Sequence, residues 1–90
     1  MKEIKRIIEK QASKYIIKLD RATQRRIIDG IDGLPDNGDI KKLKGHKEKL
    51  YRLRIGGYRI IFKNEKAKNE NNEDMLLIKI TTVDTRGDVY

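Results

Sequence analysis

Residues 50–62 read LYRLRIGGYRIIF, and this stretch determines how the rest of the chain is arranged. Two runs of large residues flank Gly56-Gly57, a pattern that predicts a β-hairpin with a two-residue turn. In that register Arg54 lies opposite Arg59, and side chains alternate between the two faces of the hairpin. The apolar face then carries Tyr51, Leu53, Ile55, Tyr58, Ile60 and Phe62, and the other face carries Arg52, Arg54, Arg59 and Ile61.

The arginine-bearing face calls for an explanation, because like charges directly opposite each other destabilise a sheet by up to ~1 kcal/mol. An ordinary solvated sheet face that happens to be basic is one interpretation. A solvated face normally mixes charges of both signs, however, and here no acidic residue offsets the three arginines. Guanidinium groups bind phosphate oxygens in bidentate fashion, so a bound phosphate would make the arrangement favourable. The pattern therefore predicts an anion site on this face.

Hydrophobic periodicity predicts the elements before the hairpin. Residues 3–8 (EIKRII) suit an opening strand. Apolar residues spaced at i, i+3, i+4 and i+7 then predict two amphipathic helices. Asp20 is a good N-cap for the second helix, and Pro35 ends it. The two apolar stripes are Ala12, Tyr15, Ile16 and Leu19 in the first helix, and Ile27, Ile28, Ile31 and Leu34 in the second.

The segments after the hairpin predict one further strand. Residues 64–74 (NEKAKNENNED) have a single apolar residue and are predicted to form a mobile connection. Residues 75–83 (MLLIKITTV) are dense in β-branched residues and predict the last strand. The predicted fold is α+β, in the order β-α-α-β-β-β, with a helical hairpin packed on a mainly antiparallel twisted sheet. Residues 1–90 are predicted to form a single domain.

Composition limits the possible functions. The 90-residue chain carries a formal net charge of +8 and contains no cysteine and one histidine, His46. Disulfides and a cysteine- or histidine-built metal site are therefore not expected, and His46 is interpreted as a solvated loop residue. No apolar run reaches the ~20 residues of a membrane span, and the first residues lack the apolar core of a signal peptide. The sequence predicts a soluble cytoplasmic protein whose partner is a polyanion, either nucleic acid or the acidic segment of a protein.

Residues 42–62 (KLKGHKEKLYRLRIGGYRIIF), together with the apolar last strand and the tail RGDVY, resemble the signature of the RelE/ParE toxin superfamily. The resemblance implies the RelE-like fold and a toxin of a type II toxin–antitoxin pair. RelE-like toxins enter the ribosomal A site and cut mRNA without metal or other cofactor. The ribose 2′-OH attacks the adjacent phosphodiester, giving a 2′,3′-cyclic phosphate and a 5′-OH. A cognate antitoxin blocks the toxin, and the pair reaches operator DNA through that antitoxin.

The resemblance also implies roles for individual residues. Arg52 and Arg54 match two basic residues of the first hairpin strand, and Arg59 matches the arginine that stabilises the transition-state phosphate. Tyr90 matches a tail tyrosine that stacks on a base or orients the nucleophile, and Arg86 matches a tail arginine. The basic segment before the hairpin is assigned to contacts with the rRNA backbone. It consists of Lys41, Lys42, Lys44, Lys47 and Lys49.

The chain departs from the RelE pattern at two places. Lysine is common where Arg52 and Arg54 stand, and arginine is a poor general base because its pKa is above ~12. Asp84 stands where the RelE tail can place an arginine that acts as general acid. Arg86 is therefore the substitute for the general acid. Asp84 and Asp88 are interpreted as residues that orient Arg86. Two alternatives to the nuclease remain open: a ParE-like inhibitor of DNA gyrase without nuclease activity, and a decayed toxin or one that acts only as a partner in DNA-bound repression.

Overall fold

A computed structural model describes residues 3–44 and 49–85 of the chain. It confirms the α+β class, with two helices and a mainly antiparallel five-stranded sheet. The predicted order was short by one strand, because residues 39–42 form an additional strand ahead of the hairpin. The elements are β1 (Glu3–Ile8), α1 (Lys10–Ile16), α2 (Arg21–Asp32), β2 (Asp39–Lys42), β3 (Leu50–Ile55), β4 (Tyr58–Lys68) and β5 (Asp74–Thr85).

The hairpin forms in the predicted register. Ile55 pairs with Tyr58 and Arg54 with Arg59. Gly56 has a φ of 56°, a left-handed conformation that glycine adopts without steric cost. The strand order is β1-β5-β4-β3-β2, so β4 is the central strand of the sheet and β3 lies between it and the edge strand β2. β1 runs parallel to β5, and the other neighbouring strands are antiparallel.

The prediction of a mobile connection over residues 64–74 was wrong. β4 continues to Lys68, and β5 already begins at Asp74, so the connection between the two strands is short. Backbone hydrogen bonds hold such a ladder together without apolar side chains. Ion pairs add to it: Glu65 lies 3.2 Å from the Nζ atom of Lys79 and 3.5 Å from that of Lys63. Periodicity missed residues 64–68 of β4 because their side chains are largely polar.

Both helices cover the same face of the sheet, α1 against β5 and α2 against β3. Asp20 caps α2 as predicted: its Oδ2 atom accepts a hydrogen bond from the Thr23 N–H at 3.0 Å, and its Oδ1 atom accepts one from the Thr23 hydroxyl at 2.6 Å. α2 ends at Asp32, three residues before Pro35. The buried apolar residues are Ala12, Ile16, Ile27, Ile31, Leu34, Leu53, Ile60, Phe62, Ile78, Ile80 and Val83.

One detail of the helix packing differs from the sequence prediction, and a second explains a glycine within α2. Ile28 belongs to the predicted stripe of α2 but is 36% exposed, whereas Ile27 and Ile31 are buried. Gly30 weakens a helix on propensity grounds, yet a Cβ atom at this position would clash with the Cδ1 atom of Ile55. The glycine therefore allows α2 to approach β3 closely. No helix within the described residues is long and apolar enough to cross a membrane.

Candidate nucleic-acid interface

The face of the hairpin opposite the helices carries the predicted arginines. They line a groove of about 400 Å³ between β2, β3 and β4, which we call the basic groove. Arg54 lies directly across the ladder from Arg59, as predicted. The residues that line the basic groove are Lys41, Lys42, Leu43, Lys44, Arg52, Arg54 and Arg59.

The additional strand β2 explains how the lysines reach this site. β2 pairs antiparallel with β3, which places Lys41 opposite Arg52 and Lys42 opposite Tyr51. The first part of the predicted basic segment is therefore a strand of the sheet, and it supplies one wall of the groove. Of the five predicted lysines, the structure brings Lys41, Lys42 and Lys44 to the arginines. Lys49 is exposed immediately before β3 and does not line the groove.

Arg52 is buried, which alternation along the strand does not predict. Its side chain is 8% exposed, and its Nη1 atom has no hydrogen-bond partner in the described part of the chain. The nearest carboxylate oxygen, Oδ2 of Asp39, lies 3.7 Å from Nη1, too far for a hydrogen bond. A buried donor without an acceptor is costly, and Arg52 is one of the residues that line the groove. This arginine is thus the strongest structural indication of an anion site.

Arg59 has a carboxylate partner, Asp84, whose predicted role was to orient Arg86. Asp84 on β5 is its register partner, and the two side chains form a bidentate pair. Arg59 Nε donates to Oδ1 at 3.1 Å, and Nη2 donates to Oδ2 at 2.9 Å. The prediction that no acidic residue offsets the arginines was therefore wrong, since Asp84 contacts Arg59 and Asp39 lies near Arg52.

The missed pair has a physical explanation. Asp84 belongs to β5, which runs to Thr85 rather than ending at residue 83. The register between β4 and β5 also shifts between Ile61 and Phe62, so counting along the strands does not align Arg59 with Asp84. The pairing of strands distant in sequence is fixed by the whole sheet, and a local pattern does not reveal it.

Three predicted site residues lie outside the described residues: Arg86 and Tyr90 of the tail, and Lys47 before the hairpin. His46, which was interpreted as a solvated loop residue, also lies outside them. Their assigned roles stay predictions, as does the role of Asp88. Among residues 3–44 and 49–85 there is no group of three or more histidine, cysteine, aspartate or glutamate side chains that could hold a metal ion.

A small α+β protein with a basic groove on an open sheet face is the class that the fold and the site define. The family model of the ParE toxin of type II toxin–antitoxin systems, parDE, matches residues 4–89. The chain therefore belongs to the ParE toxin family, within the RelE/ParE superfamily that the sequence resembles. It is a toxin of a type II toxin–antitoxin pair, and this class implies a cognate antitoxin as partner. A search of curated proteins found no match.

Proposed function

We propose that this toxin is a ribosome-dependent mRNA endonuclease that holds the RNA backbone in the basic groove. The observation that carries the proposal is the groove itself, where six lysine and arginine residues surround one cavity. The unsatisfied Nη1 atom of Arg52 adds a buried donor at its edge. Cationic side chains clustered in this way bind phosphate backbones, whereas a gyrase inhibitor has no need of a phosphate-centred cluster.

In the proposed reaction the ribose 2′-OH attacks the neighbouring phosphorus and the 5′-oxygen leaves, so that a 2′,3′-cyclic phosphate and a 5′-OH form without a metal ion. The reaction passes through a phosphorane, which carries more negative charge than the diester. Donors fixed around the place where charge develops lower that barrier. Arg52, Arg54 and Arg59 act in the proposal as an electrostatic clamp, because arginine does not accept a proton near neutral pH.

The tail completes the proposed site. Tyr90 stacks on a base or orients the nucleophile, and Arg86 assists the leaving 5′-oxygen; both assignments rest on the resemblance to RelE-like toxins. The ribosomal A site supplies mRNA and rRNA, and the lysines of the groove contact the rRNA backbone. The antitoxin covers the basic groove and connects the toxin to operator DNA. The proposed location is the cytoplasm, where ribosomes and mRNA are found.

Inhibition of DNA gyrase is the second candidate function, and a specific observation favours it. The matching family model is that of ParE toxins, and the ParE name favours gyrase as the target. The bidentate contact with Asp84 also offsets the charge of Arg59, the arginine that the nuclease assignment places at the transition state. In this alternative the protein binds gyrase and performs no phosphodiester chemistry.

Primer extension on an mRNA in a purified translation system, with and without ribosomes, tests the proposal. The parent protein is compared with Arg59→Ala and with a control, Lys68→Ala, at the far end of β4. We expect cuts that require ribosomes, that disappear with Arg59→Ala and that persist in the control. Circular dichroism must show that Arg59→Ala is folded. Absence of cuts from the parent, with inhibition of DNA supercoiling by gyrase, would replace the nuclease with the gyrase inhibitor.

A further inference from the structure

Among the described residues, Asp84 is the carboxylate in closest contact with an arginine of the basic groove. It accepts two hydrogen bonds from Arg59, and its side chain is 36% exposed, close to the 37% of its partner. A bidentate pair of this kind fixes the orientation of the guanidinium and places a full negative charge beside it. An RNA phosphate that approaches Arg59 therefore meets a carboxylate at the same position.

Asp39 provides an internal comparison on the same sheet face. It lies opposite Arg54 in the register of β2 and β3, and its nearest cation is Arg52 at 3.7 Å. Its side chain is 61% exposed, and no hydrogen bond joins it to either arginine. Of these two carboxylates within the described residues, Asp84 alone hydrogen-bonds to an arginine of the groove. Water and salt screen an exposed carboxylate strongly, so Asp39 has the weaker effect on a bound anion.

We propose that Asp84 is a positioning residue that sets the affinity of the basic groove for a phosphate backbone. It holds Arg59 in a fixed orientation and opposes the binding of a phosphate there. A single phosphate at Arg59 gains little against this carboxylate. A backbone that also reaches Lys41, Arg52 and Arg54 gains several contacts at once, so the groove favours an extended single strand over an isolated phosphate. The inference rests on the RNA-binding part of the proposed function and does not require cleavage.

The substitution that tests this inference is Asp84→Asn, which removes the charge and keeps the shape of the side chain. The probe is a single-stranded RNA with every 2′-OH methylated, so that it binds without being cut, and affinity is measured by fluorescence anisotropy across a salt series. We expect binding to tighten about fivefold to tenfold at low salt. The slope of log K against log salt should steepen by about 0.7, the contribution of one further phosphate contact on a single strand.

Two control variants separate this effect from a general change in net charge. Asp74→Asn removes one negative charge at the other end of β5, where Asp74 pairs with Lys68. Asp39→Asn removes one near the groove that does not act through Arg59. A double-mutant cycle then tests the route of the effect. On an Arg59→Ala background, Asp84→Asn should change affinity by less than about twofold, because the arginine through which it acts is absent.

The outcomes separate this inference from the proposed function. Tighter binding for Asp84→Asn alone, with little gain on the Arg59→Ala background, supports the positioning role. Equal affinities for the parent and Asp84→Asn, an equal gain for Asp74→Asn, or a full gain without Arg59 would overturn the positioning role and leave RNA binding intact. A parent and an Asp84→Asn variant that both fail to bind RNA would overturn both proposals. Matching melting temperatures establish that every variant is folded.

Discussion

The two faces of the β3–β4 hairpin are made from alternate residues of the same stretch, yet their environments differ sharply. On the face under the helices, Leu53, Ile60 and Phe62 are almost completely inaccessible to solvent. On the other face, Arg54 is exposed and Arg59 is in contact with a carboxylate. The covered face therefore supplies stability through burial, and the open face carries the proposed binding site. Arg52 combines features of both, since it lies on the charged face and is buried.

Neighbouring isoleucines on β4 give the largest expected difference between the faces. Ile60 is fully buried under the helices, and Ile61 lies partly exposed on the open face. Ile60→Ala should lower the free energy of unfolding by about 3–4 kcal/mol, because it removes buried methyl groups and leaves a cavity. Ile61→Ala should cost about 1 kcal/mol. Urea denaturation measures the free energy of unfolding of both variants. Equal losses would show that the side chains of the open face are also buried in solution.

Arg52 tests whether a buried residue on the charged face serves stability or binding. Met has a similar volume without the charge, so Arg52→Met removes an unsatisfied buried donor. Replacing buried charged groups with apolar residues of similar size is often neutral or stabilising, and we expect unfolding free energy to be unchanged or raised by about 1–2 kcal/mol. Affinity for the methylated RNA should fall more than about tenfold, the equivalent of one charged hydrogen bond. A destabilised variant that binds RNA normally would assign Arg52 to the core.

Arg54 gives the corresponding test for an exposed residue of the basic groove. Arg54→Ala should change the free energy of unfolding by less than about 0.5 kcal/mol, since the side chain is exposed. The slope of log K against log salt for RNA binding should become shallower by about 0.7. Arg25→Ala, an exposed arginine on α2, removes the same charge on the other side of the molecule. If both variants weaken binding equally, net charge and not the groove determines affinity.

The smallest expected effect concerns Glu65 on the open face. A hydrogen bond from Lys79 is the main reason that the pKa of Glu65 lies below its usual range, and the nearby charge of Lys63 adds to it. A carboxylate with a lowered pKa in the folded state stabilises the fold above its unfolded pKa, and that contribution is lost as pH falls through the folded value.

Glu65→Gln should therefore lower the melting temperature slightly at pH 7, and the difference from the parent should shrink as the pH falls through the lowered pKa of Glu65. Melting curves of both proteins across this pH range measure the difference, with Glu70→Gln in the β4–β5 connection as the control. A difference that persists at low pH would mean that Glu65 contributes through packing and not through its charge. The open face would then contribute to stability in the same way as the covered one.

Local patterns predicted much of this fold. The Gly56-Gly57 turn fixed the hairpin register, because alternation and turn geometry act over a few residues. The Asp20 cap was equally local. Polar strand segments were not predictable in this way: β2 (DIKK) and residues 64–68 of β4 (NEKAK) carry a single apolar residue each, and only pairing with neighbouring strands makes them strands.

By itself, the sequence determined that Arg52, Arg54 and Arg59 share one face and that the lysines precede them, since both follow from strand alternation and chain order. Only the tertiary structure decided which charges meet. Pairing between distant strands brought Asp84 to Arg59 and Lys41 to Arg52, and the packing of the sheet buried Arg52. The physical reason is that register and burial depend on contacts between segments far apart in the chain, which no local pattern encodes.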